Sequence, residues 1–293
     1  MTLEQLRIFV AVAEREHMTA AARALNVTQS AASAAIAALE TRHGIRLFDR
    51  VGRGIALTDT GRMFLEEARG VLARAAAAEQ ALDDLGGLQR GSLRLVASQT
   101  TAAYWLPPVL AAFRARYPLV TIDLTIGNTE QAAARVREGE AELGIVEGAV
   151  DDPQLGLWPI AEDRLLVVQA GALAVGVDVD SLRTARWVMR ETGSGTRSVL
   201  DDALRRLGVD PALLDIALVL PSNESVRTAV EHGAGVAALS ALVVAPAMAA
   251  GTLHALPVDL GIRPFYGLRH KSRYRSRAVQ ALLNLIGEGR VKI

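Results

Sequence analysis

The chain has 293 residues, 51% of them hydrophobic and 22% charged, with Lys+Arg and Asp+Glu both at 32 and a formal net charge of zero. That composition supports a large buried core and excludes a disordered polypeptide, while the zero net charge confines any nucleic-acid surface to a local patch. The absence of cysteine excludes disulfides, Cys-ligated zinc, iron–sulfur clusters and thiol redox sensing.

The amino terminus, MTLEQLRIFVAVAERE, lacks the basic stretch, long apolar run and small-residue cleavage site of a secretory signal. The apolar run from Leu242 to Ala250 is too short to span a bilayer and contains Pro246. A soluble, cytoplasmic chain with no membrane partner is the expectation.

Up to about Leu57 the pattern reads as short helices and turns. Leu3, Leu6, Phe9, Val10 and Ala13 recur at helical spacing and predict one buried face. Thr19 is placed to cap a second helix over Ala20–Leu25, and Asn26-Val27 makes a tight turn. Thr28 is placed to cap a third helix reaching Arg42, with Ala32, Ile36 and Leu39 turned to the core. Gln29, Ser30, Ser33, Ala34 and Ala37 then fall on its outer face. His43-Gly44 ends it. Ile45–Leu57, with Arg46, Arg50, Arg53, Gly52 and Gly54, reads as a two-stranded wing with a basic tip. Arg46 is as well explained by an ion pair with Asp49 or Glu40 as by a nucleic acid. A helix, a tight turn and a helix with a polar amino end is the layout of a helix-turn-helix, although a plain three-helix bundle gives the same pattern.

Thr58 to about Leu88 reads as one long helix capped by Thr58 or Asp59 and ended by Gly86-Gly87. Phe64, Ala68, Val71, Ala75, Ala78, Leu82 and Leu85 form a heptad seam over about three heptads, suited to a second copy of the helix. An amphipathic helix packed on its own domain is the alternative.

From about Gly91 strands and helices alternate, which predicts an α/β domain. Strands are expected at Ser92–Ala97, Thr121–Ile126, Glu142–Val146, Leu165–Gln169, Trp187–Arg190, Ala217–Leu220 and Val236–Ala238. Helices are expected at Trp105–Tyr117, Thr129–Arg137, Arg197–Arg206 and Ser225–His232. Two runs of strand–helix units point to two similar lobes.

The segments LRIFVAVAE, TAAARALNVTQSAASAAIAALE, GIRLFDR and LTDTGR, in that order and spacing, resemble the head of the LysR-type transcriptional regulators. LPPVLAAFRARYP, ELGIVEG, RETGSGTR and SNESVRTAVEHGAGVAALS resemble that family's effector domain, in the branch of sulfur-oxyanion and carbon-fixation gene regulators. The resemblance implies an α/β fold with an N-terminal winged helix-turn-helix (1–58), a long linker and dimerisation helix (59–90) and a two-lobed, periplasmic-binding-protein-like effector domain (91–293). Lobe 1 is expected at about 91–160 and 267–293, and lobe 2 at about 161–266. Strand exchange is implied near Ile160–Leu166 and Leu260–Leu268, with the last helix returning to lobe 1. The implied partners are double-stranded promoter DNA, a small effector and further copies of the chain, as dimer or tetramer. Many members carry Arg, Lys or Gln where this chain has Ala34, Ala35 and Ala37.

Base reading therefore falls to Gln29, Ser30 and Ser33, with Gln29 suited to adenine, and phosphate contact to Thr28, Arg50 and Arg53. The effector site is expected where strands end and helices begin: Ser98, Thr100 and Thr101, then Asn128 and Thr129, then Ser194 and Thr196. Hydroxyls and free amides at helix amino ends suit a small anion, a sulfur oxyanion or a carboxylate, although each Ser or Thr also fits an ordinary cap. An aromatic or amino-acid effector is the alternative. Glu147 and Glu191 complicate an anion site and are expected to pair with Arg197 or to meet a cationic part of the ligand. Trp105 is assigned to the core. The tail residues Arg263, Arg269, His270, Lys271, Arg273, Arg275 and Arg277 are read as a solvated face.

Two other functions compete with this one. A solute-binding protein needs an export signal and no head, the reverse of this chain. An enzyme is not expected: the five histidines, His17, His43, His232, His254 and His270, show no metal-ligand spacing, no phosphate loop is present and TGSGT is only partial. Neither a cofactor nor a metal is expected.

Overall fold

The computed structural model describes residues 1–52, 54–85, 91–171 and 179–288. The chain folds into two units, Met1–Leu82 and Asp83–Ile293.

In the first unit, α1 (Leu3–Arg15) opens with a capping box: Gln5 N donates to Thr2 Oγ1 at 3.2 Å, and Thr2 N donates to Gln5 Oε1 at 2.9 Å. Its buried residues are Leu6, Ile8, Phe9, Ala11, Val12 and Ala13, more than the predicted stripe, while Leu3 is exposed and Val10 half-buried. The helix is enclosed from several sides: Ala21, Ala22, Ala32, Ile36, Leu47 and Ala68 close one cluster around Phe9, whose ring lies 4.8 Å from that of Phe64. The cap of α2 (Met18–Ala24) is His17, not Thr19. The chain leaves the left-handed Glu16 extended at His17, so Nδ1 accepts from Ala20 N at 3.2 Å and Thr19 is left inside the first turn. α3 (Gln29–His43) follows the expectation. Thr28 Oγ1 accepts from Ala31 N at 3.1 Å, Ala32, Ile36 and Leu39 are buried, and Gly44 at φ 63° ends the helix in the left-handed region.

β1 (Phe48–Val51) and β2 (Gly54–Leu57) pair antiparallel as the wing. Glu40 Oε1 accepts from Leu47 N at 2.7 Å and from Phe48 N at 3.2 Å, fixing the start of the wing on α3. Among the described residues Arg46 makes no ion pair with Glu40 or Asp49, because Glu40 is spent on backbone amides and Arg46 is exposed. α4 (Asp59–Leu85) runs 27 residues and starts on Thr58, whose Oγ1 accepts from Gly61 N at 2.9 Å. At 1.5 Å per residue it is on the order of 40 Å long. The predicted seam divides: Phe64 and Ala68 pack into the chain's own core, whereas Val71 (43% exposed) and Leu82 (69%) are open. Gly86 and Gly87 lie outside the described residues, as does Arg53 of the wing.

In the second unit β3 (Gly91–Ser98) pairs parallel with β4 (Val120–Gly127) and β5 (Leu143–Glu147). A π-helical turn, Thr101–Trp105, precedes α5 (Leu106–Arg116), so the helix expected from Trp105 begins one residue later behind a wider turn. α6 (Thr129–Glu138) joins β4 to β5. β6 (Leu155–Ala170) is much longer than the expected Leu165–Gln169. The remaining elements are α7 (Val179–Thr184), β7 (Arg186–Arg190), α8 (Gly195–Arg206), β8 (Asp215–Leu220), α9 (Asn223–Glu231), β9 (Ala237–Ser240), α10 (Ala241–Ala249), β10 (Leu253–Ala255), β11 (Ile262–His270) and α11 (Arg277–Gly287).

The main sheet runs β10-β6-β11-β5-β3-β4, with β9 also on β6. The first half of β6 pairs with β11, which pairs in turn with β5. The second half pairs with β9 and β10. β6 and β11 thus run from one lobe into the other. β7 and β8 pair parallel, and Val188 N to Val236 O and Val236 N to Arg186 O, both 2.8 Å, tie β7 to the start of β9. Alternate residues of β3 feed opposite faces: Leu93, Leu95 and Ala97 join Phe113, Phe265 and Leu282, whereas Val96 joins Val136 and Leu268. Helix-covered sheets of this kind bury both strand faces. Trp187 anchors the second lobe at 0% exposure, its indole N–H donating to Leu182 O at 3.0 Å. Trp105 is in the core, edge-on to Phe265 at 6.0 Å. Arg263 corrects the solvated-tail expectation: at 2% exposure it is buried against Asp163. Among the described residues no helix is long and apolar enough to cross a membrane.

Candidate functional sites

Thr28, Gln29, Ser30 and Ser33 are all exposed at the amino end of α3. The Thr28 and Ser30 hydroxyls lie 3.0 Å apart, and Thr28 also caps, so its oxygen is shared. Among the described residues the exposed Gln29 side chain has no protein partner, so its amide oxygen and both amide protons are unused. Arg50 is exposed on β1 and forms no ion pair among the described residues.

Seven of the eight predicted effector residues fall into three groups, and Asn128 stands apart. Ser98 and Thr101 satisfy each other at 3.0 Å, and Thr101 Oγ1 also donates to Ile145 O at 2.9 Å. They hold the turn after β3 and have no hydroxyl to spare. Thr129 and Ser194 line an open cavity of about 480 Å³ between α6, the loop after β5 and α8, together with Glu130, Arg137, Asp152 and Arg197 among others. Each arginine is already matched: Arg137 with Asp152 at 3.3 Å and Arg197 with Asp201 at 3.1 Å. Asn128 caps α6, accepting from Gln131 N at 2.9 Å, and its Nδ2 donates to Glu191 Oε1 at 3.3 Å.

Thr100, Glu147 and Thr196 form the third group, all buried. Glu147 Oε1 accepts from Thr100 Oγ1 at 2.9 Å and from Thr196 Oγ1 at 3.3 Å. Arg263 Nη1 donates to Thr196 Oγ1 at 3.1 Å and stands 3.9 Å from Glu147 Oε1, while its Nε donates to Asp163 Oδ2 at 2.8 Å. Asp163 Oδ1 accepts from Ser240 Oγ at 2.8 Å. One network therefore joins the turn after β3 to β5, β6, β9, β11 and α8. The expected Arg197 partner for Glu147 and Glu191 is not found. Asp201 takes Arg197 one helical turn away, and Arg190, adjacent in sequence, takes Glu191 at 2.8 Å. Burial works against ionisation of Glu191, yet the hydrogen bonds and charge of Arg190 hold its carboxyl below the usual glutamate value.

Sequence reasoning missed four residues that complete the site. Asn223 accepts from Arg190 Nη1 at 2.6 Å and donates to Thr100 Oγ1 at 3.0 Å. Gln99 spans the lobes, accepting from Asn223 N and donating to Pro221 O, both at 3.0 Å. Arg190 and Arg263 are the buried cations among the described residues. Asn223 had a readable signal, since it opens a helix after a strand as Thr129 and Gly195 do. Tyr104 adds a cross-lobe contact, its hydroxyl donating to Glu224 Oε1 at 3.1 Å. Burial first and the Glu224 charge second raise the phenol above its usual value, so it stays a donor. At Gly195 there is no room for a side chain: a Cβ would lie 1.9 Å from Glu147 O and 2.4 Å from Thr129 Oγ1.

Residues 3–62 match the bacterial regulatory helix-turn-helix protein, lysR family, and residues 86–290 match the LysR substrate binding domain. The uncharacterized HTH-type transcriptional regulator YeiE of Escherichia coli strain K12 is 34% identical, over 97% of this chain and 96% of that protein. A probable RuBisCO transcriptional regulator of Cyanophora paradoxa is 32% identical, over 95% and 89%. The CcmR regulatory domain of Synechocystis PCC6803, solved in complex with 2-PG, superposes with a TM-score of 0.62 at 27% identity, covering 69% of this chain and 98% of that one. With the family's head and its substrate-binding domain both present in order, the chain belongs to the LysR-type transcriptional regulators.

Proposed function

We propose that this regulator grips promoter DNA with the amino end of α3 and that a small anion bound between the two lobes modulates the grip. Residues 1–58 serve as the head, 59–90 as the dimerising link and 91–293 as the effector domain. Gln29 reads an adenine edge, with Ser30 and Ser33 beside it, while Thr28, Arg50 and Arg53 hold phosphates. The observation that carries this reading is the free Gln29 amide on the exposed end of a helix whose opposite face is core. The chain acts in the cytoplasm, as a homodimer or homotetramer, without catalysing a reaction.

The anion reading rests on the meeting of both lobes at helix amino ends: Ser194 lines the open cavity with Thr129, while Glu147 accepts the Thr100, Thr129 and Thr196 hydroxyls and the Arg263 guanidinium lies behind them. The CcmR complex with 2-PG, an anionic ligand, supports it by similarity. Closing the lobes on the anion shifts the spacing of heads in an oligomer.

Competition binding with specific and random duplexes tests the head. Gln29→Ala is expected to lose about 1–3 kcal/mol of preference for its own promoter. Arg50→Ala is expected to weaken both duplexes equally and to lower the salt dependence. Unchanged preference in the Gln29 variant overturns the assignment.

A further inference from the structure

Two apolar side chains cross between the lobes in opposite directions. In the turn after β3, adjacent residues part: Trp105 enters the core of lobe 1, whereas the half-buried Tyr104 packs against the lobe 2 cluster that holds Val168, Val226, Val230 and Val243. The π-helical turn Thr101–Trp105 that carries both is wider than an α turn. In the other direction Leu242, in the first turn of α10, packs against the lobe 1 cluster that holds Ala102, Trp105 and Leu106.

Both crossings are tied down by polar groups. The Tyr104 hydroxyl donates to Glu224 Oε1 at 3.1 Å, and Gln99 of the same turn accepts from Asn223 N at 3.0 Å, so the turn is fixed to the start of α9. Leu242 N donates to Ser240 Oγ at 3.1 Å, and Ser240 donates to Asp163, the partner of Arg263. The first turn of α10 is thus seated on the ion pair of the two strands that run through both lobes.

The junction between α6 and α8 is built differently. The apolar cluster around α6, with Ala133, Val136 and Leu268, lies on the opposite face of the lobe 1 sheet and takes no residue from β7–β10 or α8–α10 among the described residues. Beside the open cavity the links are polar and long: Glu130 N to Gly193 O at 3.2 Å, and Asn128 Nδ2 to Glu191 Oε1 at 3.3 Å and Thr192 O at 3.5 Å. Parting the lobes there exchanges such bonds for bonds to water at little net cost. Parting them at Tyr104 and Leu242 uncovers apolar surface of both cores, at a cost that grows with the area exposed.

We propose that Tyr104 and Leu242 form a fixed pivot between the lobes, so that the effector domain opens only between α6 and α8. Each lobe turns as a rigid body about this point. The pivot goes beyond the anion reading and holds for a ligand of any charge.

The chain has no cysteine, so introduced cysteines carry spin labels at chosen positions alone. Ala111→Cys on α5 with Ala245→Cys on α10 reports on the pivot, and Glu140→Cys after α6 with Asp202→Cys on α8 reports on the cavity side; all four positions are exposed. Distances are read by double electron–electron resonance in the full chain, diluted with unlabelled protein so that only pairs within one chain count. The cavity-side distribution is expected to be several-fold broader than the pivot-side one. Tyr104→Ala combined with Leu242→Ala is expected to broaden the pivot side to match, whereas Tyr104→Phe, which keeps the ring and loses the hydroxyl, is expected to leave it narrow. Equal widths on the two sides of the protein with native Tyr104 and Leu242 overturn the pivot, and this comparison decides the matter should the double variant fail to fold. A pivot side that stays narrow in the double variant, or that broadens as much in Tyr104→Phe, overturns it too. No ligand enters the test, so its failure leaves the anion reading standing.

Discussion

Arg263 and Asp163 place opposite charges 2.7 Å apart where each side chain is only 2% exposed. Removing one partner strands the other, so Arg263→Met is expected to destabilise the effector domain by about 3–5 kcal/mol in urea unfolding. Pairing it with Asp163→Asn is expected to recover much of that loss, and an equal loss in the double variant contradicts the account. Glu191 gives a prediction in pH. Its folded carboxyl is held below the ordinary value of 4.5, so its contribution is complete above that value and is lost as pH falls through the lower folded value. Glu191→Gln is therefore expected to flatten the acid limb of the stability curve, read by thermal melts across that range. In the head, Thr28→Ala removes one helix cap and is expected to cost about 1 kcal/mol, with Thr28→Ser restoring most of it.

At the scale of elements, α4 divides its apolar seam between two tasks. Phe64 and Ala68 are consumed by the chain's own core, while Val71 and Leu82 remain open. Leu82→Glu is expected to weaken self-association at unchanged head stability, measured by light scattering over a dilution series, and an unchanged oligomer contradicts the dimerising role. Gly195 packs against Glu147 and Thr129 with no space for a Cβ, so Gly195→Ala is expected to hold the lobes apart and lower anion affinity without unfolding either. The sequence pattern disclosed α3 almost completely because Thr28, Gly44 and the Ala32-Ile36-Leu39 row are all local signals. It hid the first half of β6, where Pro159, Glu162, Asp163 and Arg164 interrupt the apolar alternation although the strand pairs with β11 on both sides of a bulge at Ile160. It also hid α10, whose Pro246 sits inside an otherwise apolar helix. The hydroxyls of the proposed effector site could be read because they open helices. Arg263 could not, since nothing local separates it from the basic residues that follow, and Asp163, which buries it, lies 100 positions away.

At the scale of the whole molecule, a head with an unspent Gln29 and a two-lobed domain closed over a shared polar network belong to one regulator. Each lobe contributes to that network: Thr100 and Glu147 from one, Thr196 and Asn223 from the other, with Arg263 on a strand common to both. In the proposed mechanism an anion held between the lobes adjoins β6 and β11, the strands both lobes share, which links occupancy to lobe geometry. The most direct test is the footprint of the full-length chain on its own promoter region, taken with and without inorganic phosphate or sulfite. The account predicts a protected region whose length or bend changes with the anion in the unaltered protein and not in Thr196→Val. A footprint identical with and without each anion, or no protection at all, contradicts it.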